Sequence, residues 1–199
     1  MLAAIRAAQS TITFETYIYG SGRVGREFVD ALNARARARA GVKVHVLRDW
    51  VGSLKMDEAL FEEMRSAGIE VERFHEPSGI NWNKLNNRTH RKLLVVDGRI
   101  GFTGGVGIAD PWRGQARDPE EWRDSHFRVE GPVVAQMQSV FLDNWMRAKK
   151  RGAAWRCLLS GAETRGRPLS ADVQQLAQRR QRDHAADVPT GDYRIKAQY

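Results

Sequence analysis

Hydrophobic and polar positions along the first three quarters of the chain switch between two periods. A short helix is expected over Leu2–Gln9, followed by a strand over Thr11–Tyr19 that is dense in β-branched and aromatic residues. Helical spacing returns over Val24–Ala40, with Gly41 placed to stop it, and Val42–Arg48 (VKVHVLR) then alternates as a strand. Met56–Ala67 reads as a helix ended by Gly68, and Ile69–Phe74 as the next strand. A βαβαβ series at these spacings implies parallel pairing with right-handed crossovers, and hence an α/β layered sheet.

The pattern then changes. Lys92–Val96 and Arg99–Thr103 are apolar strands joined by Asp97-Gly98, a pair that favours a type I′ hairpin. Ser125–Val129 supplies a further strand, and a long helix opens at Pro132 and runs to about Lys149. Its apolar residues at 133, 134, 137, 140, 141, 142, 145 and 146 form a helical stripe expected to face the core. From residue 150 on, apolar residues are scattered and Gln174–Asp183 is wholly polar apart from Leu176 and Ala177. The chain therefore divides into a domain at 1–149 and a basic tail at 150–199, read as a linker or marginal helix outside the core.

The 199 residues suffice for one domain with a buried core, and 42% hydrophobic with 28% charged residues is a globular composition. No apolar run reaches the roughly 18 to 20 residues needed to cross a bilayer, and the first residues lack the pattern of a signal peptide. Cys157 stands alone, which excludes an intramolecular disulfide and a cysteine-rich zinc site and fits a reducing cytosolic setting. The net charge of +8 points to acidic partners such as phosphates, nucleic acid or anionic lipid. Ten Lys and Arg against five Asp and Glu in residues 150–199 put most of that excess in the tail.

Candidate chemistry concentrates in Asn86–Gly105 (NNRTHRKLLVVDGRIGFTGG), where His90, Lys92 and Asp97 stand as H-x-K-x-x-x-x-D. On an extended strand residues 90 and 92 share a face, so an imidazole and an ammonium converge on one phosphate-sized volume. A neutral imidazole can attack phosphorus while the ammonium stabilises charge on the non-bridging oxygens, with no metal required. Without its surroundings the same stretch also reads as a basic strand edge (Arg88, His90, Arg91, Lys92), with Asp97 serving only the hairpin. The glycines of Phe102–Asp110 suit close approach of backbone to substrate or a plain turn, and they lack the strand-loop-helix context of a P-loop. Trp82, Leu85, Trp112 and Trp122, in the loops around this stretch, suit either a lipid headgroup region or packing within their own loops.

The stretch resembles the signature of the phospholipase D superfamily, with Gly104-Gly105 as its downstream turn. The upstream Asn86, Arg88, His90, Arg91 and Lys92, and the downstream Trp122-Arg123-Asp124-Ser125-His126 leading into Glu130-Gly131-Pro132, resemble the bacterial cardiolipin synthase branch. So do Ala4–Ala8 before the first strand and Gly41–Asp49 before Gly52-Ser53, so that the likeness extends over about residues 1–148. It implies an α/β/α sandwich with a mixed, mainly parallel sheet. It also implies His90 as the nucleophile that forms a phosphohistidine, or as the acid that protonates the leaving alcohol, with Lys92 on the phosphate. Asp97 would be mainly structural, and Asp124 would accept from the far nitrogen of the histidine. Alternatively, Asp124 is a surface residue paired with Arg123. Arg88, Gly104, Gly105 and His126 would line the substrate, and no metal or organic cofactor is implied. His45, His75 and His184 fall outside the matched motifs and read as structural or solvated.

Two departures from the family pattern stand out. Gly107 occupies the position where family members usually carry an Asn that helps hold the phosphate. None of the other four histidines begins a second H-x-K-x-x-x-x-D, whereas the family site uses two such motifs facing each other. The expected function is phosphatidyl transfer or phospholipase D-type hydrolysis on a phosphatidylglycerol-like phospholipid. The second motif would come from a homodimer or from a missing half, with peripheral contact at the cytoplasmic side of the inner membrane. The alternatives are a nuclease-type phosphodiesterase, with nucleic acid the less favoured partner, and an inactive half-enzyme.

Overall fold

The computed structural model describes residues 1–37, 41–74, 89–114, 116–149 and 194–198. Helix α1 (Leu2–Ala7) leads into strand β1 (Thr11–Thr16), helix α2 (Arg23–Ala36) into β2 (Lys43–Asp49), and α3 (Glu58–Ser66) into β3 (Glu70–Phe74). Strands β4 (Leu93–Val96), β5 (Ile100–Gly104) and β6 (His126–Glu130) follow, then helix α4 (Val133–Lys149) and strand β7 (Arg194–Gln198). The strands form one sheet in the order β3-β2-β1-β4-β5-β6-β7.

The sheet is mixed, as expected. β1, β2 and β3 pair in parallel, and every later neighbour, from β1·β4 to β6·β7, is antiparallel. Five of the seven strands thus point one way, but only two of the six pairings are parallel. The sheet is mainly parallel in strand direction, as expected, and mainly antiparallel in pairing. The parallel part ends where the helical crossovers end; of the antiparallel pairs, β4 and β5 are joined by the tight turn at Asp97-Gly98, which allows only antiparallel neighbours.

Side chains alternate across the sheet and build a core on each face. Ile12, Phe14, Val44, Val46, Leu94 and Val96 face α2 and α3, where Phe28, Leu32, Phe61 and Met64 cover them. On the other face Leu47, Leu93 and Val95 pack beneath Val134, Phe141, Leu142 and Trp145 of α4. The result is the helix-sheet-helix layering expected. The apolar stripe of α4 is only partly core: Met146 is exposed, whereas Gln138 and Asn144 are buried. Polar side chains on β1 explain this, since Thr13 and Glu15 point to the α4 face and the helix answers Thr13 with Gln138 at 3.0 Å.

Local signals end the elements as chemistry requires. Asp57 caps α3 by accepting from the Ala59 N–H at 2.9 Å. At its other end Gly68 adopts φ +88°, and the Gly68 and Ile69 N–H groups bond the carbonyls of Arg65 and Met64 in a Schellman pattern. The β4–β5 turn has positive φ at both Asp97 and Gly98, with the Arg99 N–H donating to the Val96 carbonyl, as a type I′ turn demands. The tail reading meets one correction. Arg194–Gln198 pairs with β6 along the sheet edge, so these five residues do join the sheet, and the remainder of 150–199 lies outside the described residues.

Asp97 does more than turn the chain. Its carboxylate accepts from the N–H groups of Gln9, Ser10 and Thr11 at 2.8–3.2 Å and from the Ser10 hydroxyl at 2.9 Å, pinning the hairpin to the start of β1. Burial pushes this carboxyl up, and the bonds from Thr11, Ser10 and Gln9 outweigh it and hold it below the ordinary aspartate value. Asp97→Asn keeps the shape and removes the charge, so we expect a loss of about 1–3 kcal/mol. A urea titration should show a lower midpoint at an unchanged slope.

Candidate active site

Strand register gathers distant parts of the chain at one end of the sheet. Glu15 lies opposite Leu93, Leu93 opposite Thr103, and Gly104 opposite His126. The residues leaving β1, β2 and β5 therefore meet those about to enter β4 and β6. Asp97 sits at the other end of β4, roughly 16 Å along the chain from Lys92. The third letter of the motif is separated from the first two.

His90 and Lys92 precede β4, and the chain there is extended but outside the sheet ladder. Thr89 and Arg91 bond toward α4, Thr89 lying 3.5 Å from the Asn144 amide and Arg91 donating to the Val140 carbonyl at 3.1 Å. His90 and Lys92 alternate to the opposite side. The exposed His90 ring lies on Tyr17, ring centres 4.1 Å apart. The Lys92 ammonium stands 5.6 Å from the centre of the same ring and 3.4 Å from the His90 carbonyl oxygen. Burial lowers the Lys92 pKa while the Asp124 carboxylate pulls it back up. Tyr17, which sequence reasoning took for a strand residue, is thus the platform shared by imidazole and ammonium. Its loop is itself held by the Ile108 N–H on the Ile18 carbonyl and the Gly20 N–H on the Ile108 carbonyl.

The glycine pair permits close packing against the β6 strand and the residues before it. A Cβ on Gly104, at φ +155°, would stand 2.3 Å from the Ser125 carbonyl oxygen, and one on Gly105 would stand 2.1 Å from Asp124 Oδ1. Asp124 does not bond His90. Its Oδ2 accepts from the Trp112 indole N–H at 2.8 Å, in place of the histidine pairing expected, and its charge acts on Lys92. Trp112 also fills the space beside Gly107: a Cβ there would stand 3.0 Å from the indole ring and 3.2 Å from Ile18. A side chain at 107 would require the indole or Ile18 to give by a few tenths of an ångström. Trp112 in turn pairs with the exposed Trp122, ring centres 5.2 Å apart.

His126 is buried, shares a small cavity with Lys92, Thr16, Phe14 and Ile108, and has no partner for either ring nitrogen among the described residues. Burial, then the charges of the Met1 ammonium and Lys92, push its pKa down to about 4 against the opposing pull of Asp124. His45 is buried on the α4 face against Trp145, as a structural histidine would be. Arg88, Trp82, Leu85, His75, Cys157 and His184 lie outside the described residues. Sequence reasoning passed over a buried polar group behind the motif: Glu15, Asp49, Thr89 and Asn144. Its only signal was a glutamate in an otherwise apolar, β-branched strand. Among the described residues no three His, Cys, Asp or Glu side chains cluster as a metal site would need, and no helix is long and apolar enough to cross a membrane.

A family model described as the phospholipase D-like domain of cardiolipin synthase matches residues 1–111. Over 150 residues the chain is 39% identical to cardiolipin synthase 1 of Bacillus anthracis, a match that covers 74% of this chain and 29% of that protein. The chain thus spans less than a third of that relative's length. Among solved structures, Nuc of Salmonella typhimurium, a phospholipase D family member, superposes with a TM-score of 0.55 at 19% identity over 72% of this chain and 83% of its own. Phosphatidylserine synthase of Haemophilus influenzae gives a TM-score of 0.55 at 17% identity over 98% of this chain and 42% of its own. These two likenesses establish the shared fold.

The buried neutral imidazole of His126 makes stability depend on pH. Above about pH 6.5 folded and unfolded chains both carry it uncharged; as pH falls toward 4 the unfolded chain takes up a proton that the folded chain refuses. Up to about 3 kcal/mol is therefore lost across that window. His45, whose pKa burial also lowers, acts in the same direction. Chemical denaturation from pH 7 to 4 should show a shallower loss in His126→Gln than in the parent, and equal slopes would exclude the assignment.

Proposed function

The chain belongs to the cardiolipin synthase family of phospholipase D-like proteins, and from that premise we propose that it supplies one catalytic lobe for phosphodiester exchange on a phospholipid such as phosphatidylglycerol. The observation that carries this reading is the exposed His90 imidazole and the Lys92 ammonium gathered on the single ring of Tyr17. A neutral ring nitrogen of His90 attacks phosphorus, forming the N–P bond as the P–O bond to the departing alcohol breaks. Lys92 carries the charge that develops on the non-bridging oxygens. An acceptor alcohol then passes its proton to the conjugate base of the acid that protonated the leaving alcohol and attacks phosphorus, forming a P–O bond as the N–P bond to His90 breaks. A phosphatidylglycerol hydroxyl as acceptor yields cardiolipin, and water yields phosphatidic acid.

The departing alkoxide needs a proton, and no described imidazole other than His90 can give it. His45 lies on the α4 face, and His126 is buried and uncharged at neutral pH. We assign the general acid to a second lobe, contributed by another copy of this chain or by a partner half, because the sequence carries no second H-x-K-x-x-x-x-D motif. A homodimer would place one His90 from each chain across a two-fold axis. The net charge of +8 and the exposed Trp122 beside Asp124 suit peripheral contact with an anionic membrane surface. Gly104 and Gly105 let the β5 end pack tightly on Ser125 and Asp124, and His126 lies in the cavity behind Lys92.

Light scattering gives the mass in solution, and headgroup release from phosphatidylglycerol vesicles on the same sample gives the activity. We expect a dimer whose release rate falls by about 1,000-fold or more in His90→Ala. Release unchanged by that substitution would sink the assignment of the nucleophile. Cleavage of DNA, with salt-dependent binding and no action on vesicles, would replace the lipid reading by the nuclease one.

A further inference from the structure

We propose that Glu15 and Asp49 form a two-sided clamp on Thr89 that positions His90 for reaction, making Glu15 a positioning residue of the site. The inference rests on the reading of His90 as nucleophile given above. Thr89 is the residue directly before His90, and both of its polar groups are held by carboxylates from neighbouring strands. Its hydroxyl donates to Glu15 Oε1 at 2.7 Å, and its N–H donates to Asp49 Oδ2 at 3.1 Å. Asn144 of α4 donates to the same Glu15 oxygen at 2.7 Å, and Asp49 Oδ1 accepts from the Val51 and Gly52 N–H groups at 3.0 and 3.1 Å. The clamp is thereby fixed to β1, β2 and α4 at once.

This arrangement is expensive for a merely structural contact. Glu15 and Asp49 are 0% and 2% exposed, and Glu15 Oε2 has no partner among the described residues. An apolar side chain at 15 would pack against α4 with no desolvation cost. Burial raises the Glu15 pKa; the bonds from Thr89 and Asn144 and the Arg91 charge pull it back, and Asp49 adds to the rise. A neutral carboxyl still accepts from Thr89 and Asn144 through Oε1. The clamp also stands where the ladder is missing, because β4 pairing starts only at Leu93 and residues 89–92 have no strand partners to hold them. With Thr89 fixed and Arg91 held on the Val140 carbonyl, His90 is presented from between two anchored residues and lies on Tyr17. A displacement of about 1 Å at a reacting group costs on the order of 100-fold in rate, so such fixation has a functional return.

The test compares Thr89→Val, which keeps shape and loses the hydroxyl, with Thr89→Ser, which restores it, and with Glu15→Gln, which keeps an acceptor at Oε1. In the full-length chain, nuclear Overhauser contacts between the His90 and Tyr17 rings should weaken or vanish in Thr89→Val and return in Thr89→Ser and Glu15→Gln. The His45 and His126 ring signals, which report the core, should stay in place. In vesicle turnover kcat should fall about 100-fold in Thr89→Val with KM within about threefold of the parent. A Thr89→Val protein that keeps both the ring contact and kcat would overturn the clamp, as would a loss in which Thr89→Ser fails to recover. The ring contact needs no turnover, so it reads the clamp even if the chain proves inactive on lipid. Failure of the parent to turn over lipid would count against the proposed function alone.

Discussion

Strand β4 is four residues long and runs against the strands on both sides of it, and the site depends on that reversal. Because β1 and β5 end where β4 begins, the residues before Leu93 meet the chain leaving β1 at Tyr17 and the glycine turn leaving β5. A parallel β4 would deliver His90 and Lys92 to the opposite end of the sheet. What holds the reversal in place is Asp97, whose carboxylate ties the far end of the hairpin to the first residues of β1. The aspartate of the motif thus acts on the histidine and lysine through strand register rather than by contact. Its separation from them by the length of β4 is what a register device requires.

The two faces of the sheet divide the labour. Under α2 and α3 the contacts are chiefly apolar, Phe14 meeting Tyr19 and Phe28 and Tyr19 meeting Phe61, with the buried Arg48 set over the Phe61 ring and bonded to Glu58. Under α4 the apolar cluster of Leu93, Val95, Phe141 and Trp145 is interrupted by Thr13, Glu15, Gln138 and Asn144. Dispersion and the hydrophobic effect secure most of the first face without direction, whereas the hydrogen bonds of the second fix where the Thr89 segment lies. The polar interruption sits directly behind the residue that precedes His90, which is where directional fixation matters most.

Around Lys92 the electrostatics are arranged with few charges. Asp124 is the carboxylate that acts on it, held off His90 by the Trp112 indole. The same indole packs beside Gly107, the position where the family pattern has Asn. His126 behind Lys92 remains uncharged and leaves the ammonium as the cation facing His90. Among the described residues His90 is the one imidazole at this end of the sheet that is exposed, and the sequence carries no second H-x-K-x-x-x-x-D motif to supply another.

Much of this was legible in the sequence. Periodicity located the strands and helices to within a few residues, since each buries one face and so must repeat at its own period. Asp97-Gly98 marked its turn because few residue pairs tolerate two positive φ angles. Spacing alone put His90 and Lys92 on one side of an extended segment. The tertiary structure decided what those residues meet. Tyr17 read as one more aromatic strand residue and Trp112 as a loop residue, and nothing in the helical pattern singled out Asn144. Each acquired its role from a partner 12 or more positions away along the chain. Local sequence reports the conformation that a residue prefers, because that preference is set by its own side chain and its neighbours. A contact across the sheet is set by register and packing of the whole domain, and no single stretch of residues carries that information.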